Sequence, residues 1–149
     1  GGSETSRLYR ALVVEQRLAV AAGASGATSG LGGGSVSISA TPVEGVSLER
    51  LEAAVDDVVA TFLRDGPTEA ELERAKSSLS AAAIYARDSQ ESLANIYGSS
   101  LAQGESIDDI VNWGEDVEAV TRDEAMAMAR ETFDINASVT GWLLPEDAP

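Results

Sequence analysis

Between Ser35 and Phe62 the spacing of apolar side chains changes period once, and that change limits the folds open to the chain. Val36, Ile38 and Ala40 alternate with Ser35, Ser37 and Ser39, the period-two pattern of a strand with one buried face. Pro42 and Gly45 close that run. Leu48, Leu51, Val55, Val58 and Phe62 then recur at intervals of three and four residues, which is the stripe of an amphipathic helix. Strand and helix each have one apolar side to bury, and a layer of helices on a sheet does this for both.

The flanking segments extend the pattern. "LAVAAGASGAT" suits a strand, and with "GSVSISATP" it makes a hairpin. The joining stretch "GASGATSGLGGG" holds six of the fourteen glycines and reads as a mobile tip. Upstream, Leu8, Leu12 and Glu15 share one helical face, with Tyr9 and Val13 beside it. Downstream, Gly66-Pro67 stops the long helix, and Thr68-Glu69-Ala70-Glu71 has the spacing of a capping box. A second helix follows through Leu72, Ala75, Leu79 and Ala82 to about Tyr85-Ala86, and a third runs from about Ser89 to Ala102 with Gly104 as its stop. A short helix begins at Ser106. Thr121-Arg122-Asp123-Glu124 is another capping box, leading into Ala125, Met128, Ala129 and Phe133. "NASVTGWLLP" reads as a terminal strand. The expected class is α+β, an antiparallel or mixed sheet packed against helices, within one domain over residues 1–149. Three strands against some five helices leave apolar helix surface without a partner, so the sheet looks incomplete. The chain has no initiator Met, and "GGSETSRLY" reads as a loop entering a helix in mid-domain.

Composition excludes whole classes of chemistry. The 149 residues are 44% hydrophobic, enough to fold as one domain. The formal charge is −15, from 25 acidic and 10 basic residues, which argues against a nucleic acid or an anionic membrane as partner. No run of about 18 apolar residues occurs. There is no Cys and no His, so disulfides, thiolate metal sites, a His general base and a Ser-His-Asp triad are all impossible within this chain. The glycine stretch lacks the Lys-Ser or Lys-Thr of a P-loop, since Ser35-Val36 follows Gly34. It leads into a strand where a dinucleotide fingerprint needs a helix. A hairpin tip, a peptide-contacting loop and an anion site are the readings it leaves. Asp56-Asp57, Asp108-Asp109 and Glu115-Asp116 are adjacent in sequence. Neighbours on a helix point about 100° apart, so these pairs read as solvated faces and first-turn dipole partners. Arg87-Asp88 reads as a local ion pair at a helix-to-helix turn, Trp113 and Trp142 as core or interface anchors, and the sole lysine, Lys76, as part of a charged helix face.

Taken in order, "SRLYRALVVEQRLAVAAGAS", "SVSISATPVEGVSLERLEAAVDDVVATFLRDGPTEAELERAKSSL", "LANIYGSSLAQGESIDDIVNWGEDVEAVTRDEAMAMAR" and "SVTGWLLPE" resemble the pitrilysin/insulinase family of zinc metallopeptidases, which includes mitochondrial processing peptidase. The likeness runs from Gly1 to about Glu146. Ser6-Arg7-Leu8-Tyr9, "GPTEAELERAK" and Val120-Thr121 are its most specific pieces. The resemblance implies repeated α+β domains that enclose a chamber for unfolded peptides, with zinc held by an inverted His-x-x-Glu-His motif and a distal Glu in the catalytic domain. A chain without His corresponds to the C-terminal, non-catalytic domain, and the family places a strand and a helix before "GGSETSRLY". The implied cofactor is zinc in the catalytic domain, with none in this chain. The implied partners are that catalytic domain or a subunit of the same family, and a peptide or unfolded protein substrate. Self-association is a further expectation from the incomplete sheet. Gly1 and Gly2 occupy the position of a glycine-rich loop that handles substrate in processing-peptidase relatives, so they are the candidate substrate-binding residues. Two-half members also bring an Arg and a Tyr toward the zinc from the glycine-rich strand region. Here no Arg lies between Arg17 and Arg50 and no Tyr between Tyr9 and Tyr85, so that role is not carried over. Within the same resemblance, a catalytically silent core subunit acting as an assembly scaffold is the alternative.

Overall fold

The computed structural model describes residues 3–27 and 34–144. The elements run α1 (Arg7–Tyr9, continuing as a π-helical stretch Arg10–Glu15), β1 (Ala19–Ala27), β2 (Ser35–Pro42), α2 (Leu48–Asp65), α3 (Glu69–Ala86), α4 (Gln90–Ala102), α5 (Ile107–Ala119) and α6 (Arg122–Thr132), with a 3₁₀ turn at Ile135–Ala137. The class is α+β, with helices and a two-stranded antiparallel sheet. The chain divides into two compact units. One comprises Gly1–Ser25, Ser37–Leu63 and Ala129–Pro149, and the other Gly26–Val36 and Arg64–Met128.

The first unit contains the apolar cluster. Ser6 caps α1 by accepting the Tyr9 N–H at 3.3 Å. The following turn then widens. Gln16 N–H reaches back to the Ala11 carbonyl and Leu18 N–H to the Leu12 carbonyl, both at 2.9 Å, and Arg17 takes the left-handed conformation at φ 52°. That wide exit brings Leu18 and Ala19 into the cluster already formed by Leu8 and Leu12, where Leu12 is 0% exposed. Leu51 and Ala54 of α2 complete it. Four of the five residues in the expected α2 stripe are half-buried and Leu51 is buried. Ala54, outside that stripe, is buried with it, because a small side chain permits close approach. The alternation in β2 holds for Ile38 and Ala40, which pack on the cluster opposite exposed serines. It fades at Val36, 41% exposed. The Arg7 guanidinium sits 5.5 Å from the Phe62 ring centre, a cation–π contact.

The second unit is helical and punctuated by caps. Thr68 and Glu71 form the expected capping box, with Glu71 N–H on Thr68 Oγ1 at 3.3 Å and Thr68 N–H on the Glu71 carboxylate at 2.7 Å. Ser89 caps α4 through the Ser92 N–H at 3.2 Å. Gly104, at φ 93°, follows the end of α4. Ser106 and Asp109 make a capping box that starts α5, whose 13 residues make it longer than the short helix expected. Helix α5 packs against α3 and α4. Lys76, with its side chain 12% exposed, donates to the Glu118 backbone carbonyl at 2.9 Å, and Ser80 donates to the Glu118 carboxylate at 2.9 Å.

Two expectations are corrected. "NASVTGWLLP" does not form a strand. After the 3₁₀ turn, residues 138–144 have no regular secondary structure, since a strand exists through its ladder and no neighbouring backbone among the described residues pairs with it. Arg87 and Asp88 do not form an ion pair. Their turn is held by backbone, Arg87 N–H to Ile84 and Asp88 N–H to Tyr85 at 3.1 and 3.2 Å.

Candidate functional site

Gly1 and Gly2, the candidate substrate-binding residues, lie outside the described residues. So does most of the glycine run, at residues 28–33. The nearest described surface to the chain start is an open hollow of about 440 Å³ between Ser3-Glu4 and the hairpin, floored by Gly23, Ser25, Ser37 and Ser39 among others. A smaller hollow of about 160 Å³ adjoins it, with Tyr9 and Thr41 in its wall. The pairing of β1 with β2 explains the chemistry of this floor. Ala22, Ala24, Ile38 and Ala40 pack on the cluster, so the intervening serines, with their short hydroxyl side chains, face the other way. Among the described residues, Glu4 is the one ionisable group lining the larger hollow, and no hydrogen bond joins it to the serine hydroxyls there. The arrangement can accept or donate hydrogen bonds along an extended chain, and it holds no nucleophile–base pair.

The carboxylates are spread over helix faces. Asp109 and Glu124 serve as helix caps, and hydrogen bonds from the backbone N–H and then the hydroxyl of Ser106 and Thr121, respectively, hold both below their ordinary carboxylate values. Among the described residues no group of three or more His, Cys, Asp or Glu side chains is placed to hold a metal ion. With no His or Cys anywhere in the sequence, the zinc ligand set of the resembled family does not fit this chain. No described helix is long and apolar enough to cross a membrane.

Two side chains carry structural roles that spacing alone did not reveal. Arg122 was legible only as part of a cap. Its Nε donates to the Pro67 carbonyl at 2.8 Å and its Nη2 to the Asp65 carbonyl at 2.6 Å, so it clasps the turn between α2 and α3. Lys76 is a bracket between α3 and the end of α5. The only sequence signal for it was its being the one lysine in the chain. Trp113 is exposed on α5, whereas Trp142 donates from Nε1 to the Glu52 carboxylate at 3.0 Å.

Comparison with known proteins gives these features a context. Among solved structures, the inactive peptidase domain of a candidate zinc protease from Bordetella parapertussis superposes with a TM-score of 0.87 at 19% identity, over 99% of this chain and 77% of that one. A candidate zinc protease from Bordetella pertussis Tohama I gives 0.81 at 21% identity, over 97% and 78%. A protease from Helicobacter pylori gives 0.78 at 21% identity, over 89% of this chain and 32% of that one, so the chain spans about a third of that protease. No match was found among curated protein sequences. The model of the peptidase M16 inactive domain matches residues 1–79, a stretch that carries the capped opening helix, the hairpin, α2 and the Thr68 capping box. The chain belongs to the peptidase M16 family, as a C-terminal inactive domain.

Proposed function

We propose that this domain forms one wall of a peptide chamber and docks to a zinc-bearing domain or partner subunit of the same family, which supplies the metal and the general base. The observation that carries this reading is the pairing of an inactive M16 domain with a sequence devoid of His and Cys. Such a chain cannot assemble a tetrahedral zinc centre of the usual ligands. Its contribution is to orient an unfolded peptide and keep water away from it, effects that together are worth several orders of magnitude in rate. The small, hydroxyl-bearing outer face of the hairpin suits contact with extended backbone.

The test separates the wall from the chemistry. The chain alone is expected to leave an unstructured peptide uncut in the presence of zinc. An active assembly that contains it is expected to cleave the peptide and to lose activity to a chelator. Deleting residues 1–149 from that assembly is expected to abolish cleavage although every zinc ligand stays. Equal cleavage without the segment overturns the chamber-wall reading and leaves an assembly scaffold in its place.

A further inference from the structure

Burial is distributed unevenly over the helices. Among the described residues α3, α4 and α5, of 18, 13 and 13 residues, contain no buried side chain. Ile84 and Tyr85 of α3 are 63% and 76% exposed, and Ile107 and Val111 of α5 are 57% and 54% exposed. Helices of this length are marginal in water by themselves, and most helical stability in a protein comes from packing an apolar face. Thr68, Ser89 and Ser106 cap the three helices locally, while Lys76 and Ser80 tie α3 to Glu118 near the end of α5. The buried residues described in the second unit lie elsewhere, at Gly66, Pro67 and Met126. Arg122 donates to the carbonyls on either side of that glycine, and Met126 packs against the same turn. The clasp thus joins the two ends of the helical segment, residues 68–121, where burial in this unit is greatest.

We propose that α3, α4 and α5 form a separately opening lobe, hinged at the Arg122 clasp, whose helices come apart and re-form while the clasp and the hairpin–α2 cluster stay in place. Opening removes little apolar surface from a buried setting, because little is buried there, so it costs far less than dissolving the cluster of Leu8, Leu12, Leu18 and Leu51. The clasp survives the opening because its buried residues lie outside residues 68–121. Its carbonyl partners, Asp65 and Pro67, precede α3, and Arg122 follows α5. With both ends held at one point, the open segment is a loop that closes again without searching for its own ends. The device frees the apolar side chains of three helices without dismantling the domain, and it needs neither zinc nor a peptide.

Amide hydrogen exchange on the 149-residue chain tests it. After correction for intrinsic rates, the slowest amides of α3, α4 and α5 are expected to exchange at least about tenfold faster than the slowest amides of α2. Equal rates in the two sets overturn the proposal, because the helices then open only with the whole domain. Two variants separate the lobe from the rest. Ala54→Gly weakens α2 by about 1 kcal/mol, or about fivefold in its exchange, and is expected to leave α3–α5 unchanged, since the cluster is intact in the open form. Arg122→Ala is expected to quicken α2 at least about tenfold and α3–α5 markedly less, since the clasp is kept when the lobe opens. Quickening of both sets by the same factor in Arg122→Ala overturns the hinge. The same result in Ala54→Gly overturns the lobe, and this milder variant decides the matter should Arg122→Ala fail to fold.

Discussion

Gly66 shows how one residue can join two helices. Its φ of +71° lies in the left-handed region, where a β-carbon costs about 1–2 kcal/mol. A Cβ built there would also lie 2.6 Å from Arg122 Nη2 and 3.2 Å from Met126 Sδ. The guanidinium is the end of a flexible side chain and would ordinarily swing away. Here it is held by the Asp65 and Pro67 carbonyls, so relief means giving up the clasp. Gly45 is the internal control, with φ +84° and nothing within 4 Å of a Cβ. Gly45→Ala is therefore expected to cost only the backbone part, about 1–2 kcal/mol. Gly66→Ala is expected to cost more, by about 1.5–3 kcal/mol for hydrogen bonds to a charged group. Urea titrations of the two variants measure the difference. In Arg122→Ala the excess cost of Gly66→Ala is expected to vanish, which identifies the clasp as its source.

Helix boundaries are where this sequence was most legible, and their chemistry makes the helices sensitive to pH. Asp109 and Glu124 have folded-state pKa values below their unfolded ones, through hydrogen bonds from Ser106 and Thr121. The stability they confer is therefore present above the unfolded carboxylate pKa of about 4 and is lost as pH falls through the folded value. Helical circular dichroism is expected to decline below about pH 4, and Asp109→Asn with Glu124→Gln is expected to flatten that decline. A second element-scale prediction concerns Lys76. Its ammonium satisfies a carbonyl in the last turn of α5, where a helix end leaves acceptors bare and favours a cation. Lys76→Met is expected to lower stability by about 1–2 kcal/mol, with the loss seen as faster amide exchange in α5. The caps at Thr68 and Thr121 were readable because each lies within three residues of its partner. The α2 stripe and the hairpin were readable from period alone. The Lys76 bracket spans 42 residues and the Arg122 clasp 55 and 57, and no local pattern encodes contacts so distant. The terminal strand was misjudged for a related reason. The alternation in Val139, Gly141 and Leu143 states a preference, but strand formation depends on a partner backbone that local sequence does not contain.

Over the whole molecule, charge is the property that sequence and structure describe alike. The 25 acidic residues exceed the 10 basic ones, and no charged side chain among the described residues is buried. The ion pairs of Arg10 with Glu15 and Arg64 with Asp65 are exposed on both partners, and such pairs contribute about 0–1 kcal/mol. Lys76 is the exception on its cationic side, but its shorter contact is with the Glu118 carbonyl at 2.9 Å, against 3.5 Å to the Glu73 carboxylate. Added salt therefore has few attractions to screen and a large excess of like charge to relieve. At about 0.01 M ionic strength repulsion reaches across roughly 30 Å, and at 1 M across only about 3 Å. Net charge far from zero destabilises the compact state through this repulsion. The thermal midpoint at neutral pH is expected to rise by about 2–4 °C, equivalent to about 1 kcal/mol, when sodium chloride increases from 0.01 M to 0.5 M. Potassium chloride is expected to match it, because screening depends on ionic strength and not on ion identity. A midpoint that falls with salt would mean that attractive pairs outweigh the acidic excess.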